Sequence, residues 1–71
     1  MTPNERARLQ AYLRSKFDNN RISIAPRKQS DGSVEVMIAD EFIGVIYKDE
    51  DEGEVSYAFH MAIIDIDLPE I

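Results

Sequence analysis

Seventy-one residues allow one small domain, and a chain of this size buries only about 60% of its unfolded surface, so its core is thin. The absence of cysteine excludes disulfide staples, thiol chemistry and thiolate zinc sites, and 44% apolar with 31% charged residues excludes wholesale disorder. The net charge of −6 divides unevenly: residues 1–28 carry seven basic and two acidic side chains, net +5, whereas residues 29–71 carry one basic and twelve acidic, net −11. Such asymmetry steers charged partners or favours association between copies, without choosing a fold.

The N-terminus Met1-Thr2-Pro3-Asn4-Glu5 lacks the basic-then-apolar order of a secretion signal, and no stretch is long and apolar enough to cross a bilayer, so a cytoplasmic location and no membrane partner are expected. The same residues open a helix. Thr2 offers a capping oxygen, Pro3 loses nothing in the first turn, and Glu5 is placed to close a capping box. Leu9, Leu13 and Phe17 recur every four residues with Tyr12 beside them, which predicts an inner face on a helix over about 3–17. Asp18-Asn19-Asn20 ends it.

From Arg21 the period falls to two, the signature of half-buried strands. The first strand, about 21–26, points Ile22 and Ile24 one way, and Pro26 suits it to a sheet edge. Gln29-Ser30-Asp31-Gly32-Ser33 forms a turn, and the second strand, about 33–39, sets Val34, Val36 and Ile38 against Glu35 and Met37. Asp40-Glu41 turns into a third strand, about 42–48, apolar on both faces as an interior strand should be. The acidic run Asp49 to Glu54 reads as a second turn, and a fourth strand covers about 55–64. In the tail, Asp65-Ile66-Asp67-Leu68 either extends that strand until Pro69 or hangs loose. The expected architecture is therefore a single α+β domain over 1–71, an N-terminal helix on one face of a four-stranded antiparallel meander (α-β-β-β-β).

A two-residue turn at Asp40-Glu41 predicts Val34, Val36 and Ile38 opposite Tyr47, Val45 and Ile43, and an odd number of loop residues in the acidic turn adds Tyr57, Phe59, Met61 and Ile63 to that face. The reverse face then holds Glu35, Met37, Phe42, Gly44, Ile46, Ala58, His60, Ala62 and Ile64, too apolar for water.

Catalytic and metal signals are weak. Residues Asp49 to Glu54 supply oxygen ligands, yet their spacing fails the helix-loop-helix calcium pattern, and a solvated hairpin that keeps strand edges apart is the better reading. His60 is the only histidine. No serine beside it is marked as a nucleophile, and the scattered glycines form no phosphate loop. No catalytic residue, metal or cofactor is expected, and the chain reads as a non-enzyme. The basic set Arg8, Arg14, Arg21, Arg27 and Lys28 offers phosphate contacts, although the helical basic residues spread around the axis. A helix before antiparallel strands is also similar to double-stranded-RNA binding domains, but here an acidic strand and tail replace the closing basic helix.

The segments Arg8-Leu9-Gln10-Ala11-Tyr12-Leu13-Arg14, Asp40-Glu41-Phe42-Ile43-Gly44-Val45 and Met61-Ala62-Ile63-Ile64-Asp65-Ile66-Asp67-Leu68 resemble a family of short alphaproteobacterial proteins classed only as a domain of unknown function, DUF 3126. The resemblance spans nearly the whole chain and implies a small stand-alone bacterial protein, with no activity or site residues to carry over. The function expected is a self-associating or protein-binding module, a homodimer or a complex with another protein, that uses Met37, Phe42, Ile46, His60 and Ile64 or a strand edge. The alternative is RNA binding through the basic N-terminal part.

Overall fold

The computed structural model describes residues 1–27 and 31–71. Helix α1 (Pro3–Lys16) starts at Thr2, whose hydroxyl accepts from the Glu5 amide while the Glu5 carboxylate accepts from the Thr2 amide, so the capping box is complete. It ends at Phe17, and Asp18 takes the left-handed region (φ 50) that short polar residues tolerate.

Four antiparallel strands follow among the described residues, β1 (Ile22–Pro26), β2 (Val34–Ile38), β3 (Glu41–Asp51) and β4 (Glu54–His60), side by side in chain order. The α+β meander is as expected, with β1 and its proline at one edge and β4 at the other. The connection from β1 to β2 is closed by Asp31, which accepts from both the amide and the hydroxyl of Ser33, while Arg27 donates to that hydroxyl. Gln29 and Ser30 of the expected turn lie outside the described residues.

Two registers differ from expectation. The β2–β3 turn uses Ala39 and Asp40, and Val34 faces Ile46, not Tyr47. A bulge leaves Ile43 between the pairs Val36–Gly44 and Met37–Phe42. The cause is visible at Gly44: a Cβ there would lie 2.5 Å from the His60 carbonyl oxygen and 2.5 Å from a ring carbon of Phe59, so only the residue without a side chain fits where Phe59 crosses β3. Gly44 and Ile46 therefore face the helix, and Val45 and Tyr47 face away. The second difference is the acidic run. It is paired strand to Asp51, and the turn is only Glu52-Gly53, both at positive φ (52 and 81), the two-residue geometry that matches strand twist. An even loop combined with the shifted β3 register still brings Tyr57 and Phe59 to the helix side, because Ile46 pairs with Phe59 and Lys48 with Tyr57.

The core is Leu13, Ile22, Val34, Val36 and Ile46, with Leu9, Ile24, Ile38, Ile43, Tyr57 and Phe59 packed around it. Strand β4 stops at His60 instead of near residue 64, and the tail carries a short 3-10 turn at Asp65–Asp67 with no side-chain cap. The outline is long, 45 × 23 × 23 Å, with a radius of gyration of 13.4 Å, against about 11 Å for a compact domain of this length.

Candidate interaction surface

Two hydrogen bonds decide where the helix lies. Gln10 accepts from the Ile24 amide (3.1 Å) and Arg14 Nε donates to the Ile22 carbonyl (2.7 Å), so α1 is tied to β1 at the sheet's edge. The tie uses backbone groups that an edge strand leaves without a ladder partner. At the other end of the helix, Glu5 Oε2 takes Lys48 Nζ at 2.7 Å and Tyr57 hydroxyl at 2.8 Å. One carboxylate thus caps α1 and clamps the β3–β4 hairpin. Lys48 first, then the Thr2 amide and Tyr57, hold its pKa down from 4.5 to about 2, and the same contact pushes Tyr57 and Lys48 up. Sequence reasoning missed this cluster, since nothing local links positions 5, 48 and 57.

Because α1 sits over β1, the β3–β4 half of the same face has no roof among the described residues. The result is an apolar trough between helix and hairpin, in two hollows of about 310 and 350 Å³ that share Leu13 and Phe59. Phe17, Ile43 and Met61 line one end, and Leu9, Tyr12 and Tyr57 the other. Tyr12 and Phe17, expected on the buried face, are 59% and 57% exposed on its lip. On the helix, Arg8, Tyr12 and Lys16 recur at four-residue spacing and so share one side, and because Arg8 and Tyr12 line a hollow with Tyr57 that side is the hairpin's, with a basic edge. A hollow of about 450 Å³ beside the N-terminus has a mixed lining, in which Lys48 pairs with both Glu5 and Glu50.

The reverse face carries Ser23, Ala25, Glu35, Met37, Phe42, Val45, Tyr47, Ala58 and His60. Of the expected partner surface, Phe42 is 52% exposed there, Met37 is half-buried, and His60 is exposed with its ring edge-on to Tyr47 at 5.3 Å. Ile46 does not belong to it: the bulged register turns it into the core at 2% exposure. Ile64 lies beyond the sheet in the tail. Val45 and Tyr47 take the places given to Gly44 and Ile46, and a glycine inside an apolar strand was the available signal for the bulge. Glu35, Asp49, Asp51 and Glu54 stand on this same face and make its margin acidic.

The basic residues are not gathered. Arg14 and Arg27 are bonded to Ile22 and Ser33, Arg8 and Arg21 are exposed on separate elements, and Lys28 lies outside the described residues. Among the described residues no three histidine or carboxylate side chains converge as metal ligands, and no helix is long and apolar enough to cross a membrane. No curated protein and no solved structure matched the chain. A family model does match, over residues 5–67, and its description is a protein of unknown function (DUF3126). That span takes in the helix from Glu5 onward, the four described strands, Gly44 and the Glu5 clamp, and by it the chain belongs to this family of uncharacterised function.

Proposed function

We propose that the chain is a non-enzymatic interaction module that self-associates through the open half of its helix-side face. Surface area carries the reading. The chain exposes 5782 Å² at a mass of 8.1 kDa, whereas compact monomers of that mass expose about 4,500 Å². The excess, about 1,300 Å², exceeds the roughly 800 Å² that each partner contributes to a standard interface. Much of it is apolar: Tyr12, Phe17, Phe42, Met61, Ile63, Ile64, Ile66 and Leu68 are all more than half exposed.

Of the two open surfaces, the trough is the better seat for a second copy. Stacking two reverse faces would bring Glu35, Asp49, Asp51 and Glu54 of each copy against their like. The trough's basic lip instead suits an acidic segment of a second copy, and residues 29–71 carry twelve acidic side chains against one basic. The reverse face suits a partner with a positive rim. A bacterial, cytoplasmic setting belongs to the same reading: bacterial by the sequence resemblance, cytoplasmic as the sequence alone leads one to expect. RNA binding through the basic N-terminal part has less support, because the bonds made by Arg14 and Arg27 divert them from phosphate.

Sedimentation velocity across low to high micromolar concentration tests the proposal. A species of twice the chain mass is expected, and a monomer throughout overturns it. Titration with mixed RNA and DNA at low salt should stay flat; salt-dependent binding lost with Arg8→Ala would favour the alternative.

A further inference from the structure

The tail is the least explained part of the molecule. Ile64, Ile66 and Leu68 alternate with Asp65 and Asp67, so in an extended conformation the three aliphatic side chains fall on one face and the two carboxylates on the other. All three aliphatic residues are more than half exposed, Ile66 at 86%; an uncapped 3-10 turn orders the segment, and Asp67 lies with Glu41, Phe42 and Ile43 at the edge of a shallow hollow. The trough has the complementary pattern: apolar floor, basic lip.

We propose that Ile64–Leu68 of one copy lies extended in the trough of a second copy, with the exchange reciprocal, a form of the self-association proposed above and dependent on it. Dimensions agree. The trough runs beside the helix from Leu9 to Phe17, about 12 Å at helical rise. Ile64 to Leu68 spans about 13 Å as a strand. Charges agree as well: the tail from Met61 onward carries Asp65, Asp67 and Glu70 and no basic residue, while Arg8 and Lys16 flank Tyr12 on the lip. Their long stems reach over the outward carboxylates.

The tail of the same copy is a poor occupant. Met61 already lines the trough's mouth, so the chain would have to reverse within Met61-Ala62-Ile63-Ile64. Those residues include no glycine, proline, asparagine or aspartate to form the turn. A second molecule has no such constraint, and reciprocal exchange closes the pair with two-fold symmetry.

The experiment uses the full chain. Ile66→Asp with Leu68→Asp should weaken dimerisation on the order of a hundredfold by sedimentation, while the circular dichroism spectrum, reporting a core these residues do not enter, stays unchanged. Two further chains separate docking from general damage. One carries Asp65→Lys and Asp67→Lys, the other Arg8→Glu and Lys16→Glu. Each alone opposes its own tail to its own lip by like charge, and a mixture of the two should form heterodimers because both contacts become attractive. A wild-type dimer untouched by the tail substitutions, or a mixture that stays monomeric, overturns tail exchange and leaves self-association standing. A wild-type monomer overturns both.

Discussion

Substituting Ile46 tests the register on which both open surfaces depend. In the bulged pairing Ile46 faces Val34 and Phe59 from the centre of the sheet and is 2% exposed, whereas its neighbour Tyr47 lies on the reverse face. Ile46→Ala removes apolar contacts that nothing nearby can replace, at a cost of about 3–4 kcal/mol. A domain of this length holds about 4–10 kcal/mol in total, so the loss takes a third of it or more. Tyr47→Ala forfeits its edge-to-face contact with His60, about 0.5–1.5 kcal/mol. Urea unfolding followed by circular dichroism measures both, at one fixed protein concentration because an associating chain gains stability by mass action. With a slope of about 1 kcal/mol per molar urea, the Ile46→Ala midpoint should fall by about 3 M. Ile46→Val, at about 1 kcal/mol, provides a variant that stays folded. If Tyr47→Ala is the more damaging of the two alanine substitutions, the bulge is misplaced and both surfaces exchange residues.

Gly44→Ala places a methyl group against the His60 carbonyl and the Phe59 ring; a loss of about 2 kcal/mol or more is expected in the same urea assay, and a neutral result would mean that Phe59 does not cross β3 there. Glu5 has a folded pKa of about 2 against 4.5 when unperturbed, so its contribution is fully present above pH 4.5 and fades as pH falls toward 2. Thermal unfolding between those limits should lose stability in the wild type and change less in Glu5→Gln, which retains the cap but not the charge. Thr2→Ala removes the hydroxyl cap alone and should cost about 1 kcal/mol with little change in that pH profile. Glu52 occupies the left-handed region at the hairpin turn, and Glu52→Asn should raise stability by about 0.5–1 kcal/mol, seen as a higher urea midpoint.

Whatever acts over a few residues was legible in the chain itself: the Thr2–Glu5 capping box, the stop at Asp18, the edge role of the strand ending in Pro26, and the number and order of the strands. Each follows from backbone preference or a short period, which residues carry with them wherever they fold. Surfaces were another matter. Which way Ile46 points depends on one bulge, and the bulge depends on Phe59 passing over Gly44 from a different strand. The roofless half of the sheet exists because Gln10 and Arg14 anchor the helix at the edge strand while Glu5 reaches Lys48 and Tyr57. Contacts between residues that far apart form only when the chain closes on itself, and side-chain facing with period two turns a one-residue shift into an exchange of inside for outside.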